Sequence, residues 1–130
     1  MTNKTTQLAM FAIAAFALGG VAFGPAYAAS YASTTVVAGS GYSVSGTDYV
    51  SCGSERCIAK IESHTTQNFI KYKIGTVGGN QCDVDIRIVG ADDPYTRSHG
   101  SISGTVEFVF NELVDQGDRI TLTATYTNCT

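Results

Sequence analysis

The stretch CDVDIRIVG, residues 82–90, alternates apolar and polar side chains from its first residue almost to its last. One face carries Cys82, Val84, Ile86 and Ile88, and the other carries Asp83, Asp85 and Arg87. Successive side chains of a β-strand point to opposite faces, so this pattern predicts a strand with one face buried and the other in water. The alternation favours antiparallel pairing, because strands of parallel sheets are usually buried on both faces.

Four more segments alternate in the same way, and turn sequences separate them. They are 57–65, 69–76, 101–111 and 119–128, separated by GTVGGNQ, GADDPYTRSHG and VDQGD. No helical pattern follows residue 28. Several short strands without helices predict an all-β chain, a small antiparallel β-sandwich of immunoglobulin-like architecture.

The charges on two of these segments indicate how they could pair. We expect 69–76 and 82–90 to form a hairpin, in the register that places Lys73 opposite Asp83 and Lys71 opposite Asp85. Opposite charges across neighbouring strands contribute about 0.2–1 kcal/mol for each pair.

The N-terminus has the pattern of a secretory signal peptide. Lys4 precedes the apolar run QLAMFAIAAFALGGVAFG, and Ala26 and Ala28 occupy the small-residue positions of a cleavage site. The uninterrupted apolar part is about 16 residues long, short of the roughly 20 that cross a bilayer. We therefore expect residues 1–28 to form a signal helix that is cleaved, and a secreted or cell-surface protein without membrane insertion of the mature chain. A retained membrane anchor or a pilin-like helix is the alternative.

The remaining chain is long enough for one domain. Residues 29–47 are rich in Ala, Ser, Thr and Gly and predict an N-terminal arm or an edge strand, whereas 48–130 predict a disulfide-stapled sandwich domain. The sequence has eleven acidic residues against eight basic ones, and no basic cluster. This balance argues against nucleic acid as a partner.

Four cysteines, Cys52, Cys57, Cys82 and Cys129, predict two disulfides in an exported chain. Three pairings are possible, and we favour Cys52–Cys57 with Cys82–Cys129. The first closes a short loop, and the second ties down Cys129 near the end of the sequence. The alternation of side chains along each strand places Cys82 on the inward face and Cys129 on the outward face. The Cys82–Cys129 bond therefore needs a bulge or a loosened terminus. The cysteine spacing lacks the paired knuckles of a zinc site. The alternative to two disulfides within the chain is free or intermolecular thiols.

Segment 91–100 is the longest predicted loop and carries the candidate binding residues. Tyr95, Arg97 and His99 are the aromatic and cationic side chains most suited to anchoring a partner. Asp92 and Asp93 offer hard oxygen ligands for Ca²⁺, although Asp-Asp-Pro is also an ordinary turn sequence. We expect no cofactor.

These features predict a non-catalytic binding or adhesion protein whose partner is an extracellular protein, a glycan or a second copy of itself. One alternative is a structural subunit that donates residues 31–44 to the open sheet of a neighbour. Another is a secreted hydrolase that unites His64 or His99 with an Asp and a Ser. The hydrolase has the least support, because GSISG, 100–104, has Ile102 where a nucleophilic serine would stand.

Overall fold

The computed structural model describes residues 29–130, which form eight β-strands in two four-stranded antiparallel sheets. The strands are β1 Ser30–Val37, β2 Ser43–Cys52, β3 Glu55–His64, β4 Phe69–Val77, β5 Gln81–Val89, β6 Tyr95–Ser103, β7 Thr105–Asn111 and β8 Arg119–Thr127. Sheet one has the order β1-β8-β5-β6, and sheet two has the order β2-β3-β4-β7. The predicted antiparallel β-sandwich is confirmed. The predicted signal peptide, 1–28, lies outside the described residues.

The core lies between the sheets and contains the side chains that the alternation placed inward. The inward residues of β5 and β8 are all buried, namely Cys82, Val84, Ile86, Ile88, Ile120, Leu122, Ala124 and Tyr126. From sheet two, Ile61, Ile70, Tyr72 and Ile74 meet them. Each fully buried aliphatic side chain contributes about 1.5–3 kcal/mol, so this layer is the main source of stability.

The expected hairpin between 69–76 and 82–90 is wrong, because β4 and β5 lie in different sheets. The turn between them contains Gly78 and Gly79, both with positive φ, and carries the chain across the sandwich. The lysines of β4 find carboxylates within their own sheet instead: Lys71 stands opposite Glu62, and Lys73 opposite Glu107. Parity had identified the buried faces of β3, β4, β5 and β8 correctly, but it carries no information on which strand is the neighbour.

Segments 91–100 and 101–111 also differ from expectation. Only residues 90–94 connect the strands here. Most of the predicted loop belongs to the edge strand β6, Tyr95–Ser103, which pairs with β5. Gly104, with a φ of 76°, ends β6 and lets the chain cross to β7 in the other sheet. Most side chains of β6 are exposed, which is why its sequence resembles a loop.

Residues 29–47, predicted as an N-terminal arm or an edge strand, contain β1 and the first half of β2. All eight residues of β1 pair with β8, and Ala32 and Val36 are buried in the core of the same chain. The Asp48 carboxylate accepts the Ser33 backbone N–H at 2.9 Å, which joins β1 to β2 across the sandwich edge. The predicted boundary at residue 48 falls inside β2, which begins at Ser43.

Both favoured disulfides, Cys52–Cys57 and Cys82–Cys129, are present. The parity conflict at Cys129 is removed by Asn128, whose φ of 53° turns the chain back after β8. The Thr130 N–H then donates to the Gln81 carbonyl oxygen at 2.9 Å, so the tail runs along the start of β5. Each disulfide stays on its own side of the sandwich, unlike the sheet-to-sheet disulfide of antibody domains.

Candidate functional site

The three candidate binding residues, Tyr95, Arg97 and His99, lie on β6 and reach toward the edge where β6 faces β7. There they meet three rings from sheet two: Tyr72, Phe108 and Phe110. The Tyr95 ring stacks on Phe110 with 4.1 Å between centroids, and the His99 ring stacks on Phe108 at 4.3 Å. The six side chains form one cluster, which we call the β6–β7 aromatic cluster.

A bulge in β6 places His99 in this cluster. Asp85 pairs with Ser98 and Val84 with Gly100, so His99 is the extra residue between two registered pairs. Gly100 has a φ of 67°, a conformation that glycine adopts without steric cost. The His99 Nε2 atom lies 2.8 Å from the Tyr72 hydroxyl, which orients the ring.

Arg97 is the exposed member of the β6–β7 aromatic cluster. Its guanidinium carbon lies 5.3 Å from the centroid of the Phe108 ring, within the range of a cation–π contact. A hydrogen bond with Tyr95 raises the pKa of Arg97. The Phe108 ring lies against the guanidinium, and the Arg97 side chain is otherwise exposed.

Burial controls the protonation of the other polar members. It raises the pKa of Tyr72 above its ordinary value, and a hydrogen bond with Tyr95 adds to the effect. Burial lowers the pKa of His99, and the positive charge of Arg97 adds to this shift, while Asp85 opposes it. At neutral pH the His99 ring is uncharged, so Arg97 carries the positive charge of the cluster.

An open depression of about 500 Å³ lies beside Arg97 on the β5–β6 surface. Its lining is Asp85, Ile86, Thr96, Arg97 and Ser98. The outward-pointing side chains of Asp85, Thr96 and Ser98 give it one carboxylate and two hydroxyls, each able to form hydrogen bonds with a polar ligand. The Arg97 guanidinium itself lies over Phe108, on the opposite face of β6 from Thr96 and Ser98.

The calcium candidates Asp92 and Asp93 line a separate open depression of about 380 Å³. Its other lining residues are Asn68, Asn111, Glu112 and Leu113. The Glu112 carboxylate accepts the Asp93 backbone N–H at 3.0 Å, so one of the local carboxylates is committed to holding the turn. The arrangement has the geometry of a turn anchored to the end of β7.

The two histidines stand apart and have different partners. His64 stacks on Phe69, with 5.7 Å between centroids, and its Nδ1 accepts the Gln67 backbone N–H at 3.2 Å. His99 is hydrogen-bonded to Tyr72. Both hydrogen bonds support the local fold, and neither joins a histidine to a serine or a carboxylate.

The four cysteine sulfurs gather at one end of the sandwich. The Sγ atoms of Cys57 and Cys82 are 4.0 Å apart, although they belong to different disulfides. Among residues 29–130, the single group of three or more metal-ligand side chains within 4.8 Å is Cys52, Cys82 and Cys129. These sulfurs are all in disulfide bonds, so they are crosslinks rather than thiolate ligands.

The sequence-based list of site residues omitted Tyr72, Phe108 and Phe110. Their parity had assigned them to the core, and Tyr72 is indeed buried, whereas Phe108 and Phe110 are half-buried. Two phenylalanines on the inward parity of 101–111 were the available signal. The sequence did not indicate that this strand, β7, lies at the edge of its sheet and faces β6 of the other sheet.

No family model, curated protein or solved structure matches the chain. In the part of the chain that the structure describes, there is no helix of the length and hydrophobicity that crossing a bilayer requires. The described residues form an antiparallel β-sandwich with two disulfides.

Proposed function

We propose that this protein is an exported, extracytoplasmic β-sandwich with a non-catalytic binding or adhesion role. The observation that carries the proposal is the setting of Arg97, whose exposed guanidinium is held over Phe108 on the edge strand β6. Arginine and aromatic side chains dominate the binding energy of many interfaces. An arginine that is already positioned loses less conformational entropy when it binds a ligand.

The groups at this site favour a hydroxyl-rich ligand that carries an anionic group, such as an acidic glycan. Arg97 can donate two parallel hydrogen bonds to a carboxylate. On the outward face of β5 and β6, the Asp85 carboxylate and the hydroxyls of Thr96 and Ser98 can accept from the sugar hydroxyls of a ligand that extends around the edge strand. A protein segment with a surface carboxylate is a second ligand of compatible chemistry.

Export is supported by the signal-like N-terminus and by the two disulfides. Disulfides persist in oxidising compartments and are rare in reducing ones. Intact-mass measurement of the native protein, before and after reduction and alkylation, tests this part directly. Material that starts at Ala29 and gains four alkyl groups only after reduction supports export, and native material with Met1 and free thiols contradicts it.

Arg97→Ala tests the binding site. We expect the variant to lose most of its retention on an acidic glycan surface while keeping the thermal stability of the parent. Arg97→Lys should recover part of the binding, because the charge returns without the planar pair of donors. Arg119→Ala is the matched control, since Arg119 is an exposed arginine at the start of β8. Equal losses in both arginine-to-alanine variants would show a general charge effect and contradict the site.

The donor-strand alternative requires β1 to leave its place beside β8. That change exposes Ala32 and Val36, which are now buried in their own core, and breaks the eight-residue pairing with β8. Deleting residues 29–37 distinguishes the two functions. A donor-strand subunit loses its polymers, whereas a binding module loses stability in the monomer.

A further inference from the structure

The four edge strands of the sandwich differ in how their free edges are protected. β1 and β2 lie close together along one side, where Asp48 accepts a backbone N–H of β1 and Gly46 packs against Thr34 and Val36. β6 is interrupted by the bulge at His99 and carries the charge of Arg97. Bulges, charges and covering contacts are the usual protection of edge strands against pairing with another chain.

β7 is less protected in the described structure, because it has no bulge and its single charge is matched by a lysine of β4. It pairs with β4 through seven consecutive residues, Thr105–Asn111, without a bulge, and its opposite edge faces away from the sheet. Its sequence, TVEFVFN, contains one charge, Glu107, which stands opposite Lys73 of β4. Short segments of high β-propensity and low charge readily add to other strands.

Both faces of β7 also leave apolar surface exposed. Val109 points outward and is 60% exposed, the second most exposed large hydrophobic residue among residues 29–130. On the inward face, Val106, Phe108 and Phe110 are half-buried, although the corresponding side chains of β4 are buried. The sandwich is therefore incompletely closed at this edge, and one added strand would cover apolar surface on both sides.

We propose that β7 is a self-association edge, at which a second copy of this chain adds its own β7 in antiparallel orientation. The segment is complementary to itself in the register centred on Val109. Val109 then faces Val109 of the second copy, and each Glu107 faces an Asn111. On the inward face each Phe108 meets a Phe110. A register centred on Glu107 is disfavoured, because it places the two carboxylates opposite each other.

This pairing joins two four-stranded sheets into one of eight strands by an isologous two-fold contact. One strand pair covers less area than a standard protein interface, so the dimer should be weak and concentration-dependent. The pairing does not involve Asp85, Thr96 or Ser98, which line the outward depression on the other sheet. Each dimer then presents two such sites, which would raise the avidity for a surface with repeated ligands.

Sedimentation of the mature protein over the micromolar to millimolar range tests the proposal. We expect a monomer–dimer equilibrium that Val109→Lys abolishes, because two lysines then face each other. Val37→Lys is the matched control, since Val37 is also an exposed valine on an edge strand, and it should leave the equilibrium unchanged. A monomer at every concentration, or a dimer that tolerates Val109→Lys, overturns the proposal.

Substitutions at Asn111 test the register separately from the surface. Asn111→Lys should tighten the dimer by about two- to thirtyfold, because two Lys–Glu107 pairs form across the two-fold axis. Asn111→Glu should loosen it by a similar factor through repulsion. Circular dichroism of both variants establishes that the sandwich is folded. Equal effects of the two substitutions overturn the antiparallel register.

Discussion

The Tyr126 hydroxyl, carried by β8 of sheet one, accepts the backbone N–H of Gly75 in β4 of sheet two at 2.8 Å. The same hydroxyl donates to the carbonyl oxygen of Ile58 in β3. Tyr126 is buried, and its polar end therefore lies between two strands of the opposite sheet. This pair of hydrogen bonds is a direct polar link between the two sheets.

Tyr126→Phe should destabilise the protein by about 1–3 kcal/mol, because it leaves a buried N–H and a buried carbonyl without their partner. The ring and its packing are unchanged, so the loss reports the hydroxyl alone. Chemical denaturation with the disulfides intact measures it. A variant as stable as the parent would show that water replaces the hydroxyl.

The stability of the parent should fall in alkali more steeply than that of Tyr126→Phe. Burial raises the pKa of Tyr126 from 10.0 to about 12, and the hydrogen bond from Gly75 only partly opposes this shift. Between these values the unfolded chain loses the Tyr126 proton while the folded chain keeps it. Its contribution is complete below pH 10 and is lost as the pH rises toward 12. Denaturation midpoints of both proteins across this range measure the difference, and parallel curves would contradict it.

Gly75→Ala should be one of the most damaging single substitutions. Gly75 has a φ of 132°, and a Cβ at this position would overlap the carbonyl oxygen of Gly104. Gly79→Ala is the matched control, with a φ of 136° and open space around the new methyl group. Backbone strain alone costs the control about 1–3 kcal/mol. Gly75→Ala should cost clearly more in a thermal melt, and equal losses would show that the overlap is relieved by movement of Gly104.

Removing the Cys82–Cys129 bond should cost more than removing Cys52–Cys57. In the chain-entropy model, closing the longer loop contributes about 4 kcal/mol and closing the short hairpin loop about 2 kcal/mol. The double serine variants at each pair measure the two losses by denaturation. The tail beyond β8 should also fray first when Cys129 is free, and hydrogen exchange at Thr130 detects this. A larger loss at Cys52–Cys57 would contradict the entropic explanation.

Ser63→Ala should leave stability unchanged or raise it by about 1 kcal/mol. The Ser63 hydroxyl is buried on β3, and among the described residues its oxygen has no hydrogen-bond partner. Replacing it by a methyl group removes the cost of dehydrating an unpaired polar group. A loss of stability in the thermal melt would show that the hydroxyl has a bound water.

The pKa of His99 should rise in Arg97→Ala. Burial is the largest cause of its lowered value and stays in place, but the repulsion from the guanidinium disappears. NMR titration of the His99 ring protons measures the shift, with Arg119→Ala as the unchanged reference. A fall in the pKa of His99 would mean that Arg97 does not face the ring.

Local patterns in the sequence were sufficient for much of the fold. The alternation in 82–90 and 119–128 identified every inward side chain of β5 and β8, because parity depends only on the geometry of an extended chain. The spacing of Cys52 and Cys57 indicated their bond for a similar reason, since a hairpin of that length brings them together. Tyr95, Arg97 and His99 were selected by residue type and do lie on one edge strand.

The tertiary structure alone decided which strands are neighbours. Lys71 and Lys73 were matched with aspartates of the following strand, but the chain crosses to the other sheet and Glu62 and Glu107 take those places. The edge position of β6, the rings that complete its aromatic cluster and the unpaired edge of β7 all follow from the same arrangement. Side-chain periodicity is a property of each segment by itself. Strand order depends on long-range pairing that minimises the free energy of the whole sandwich, and neighbouring residues carry no record of it.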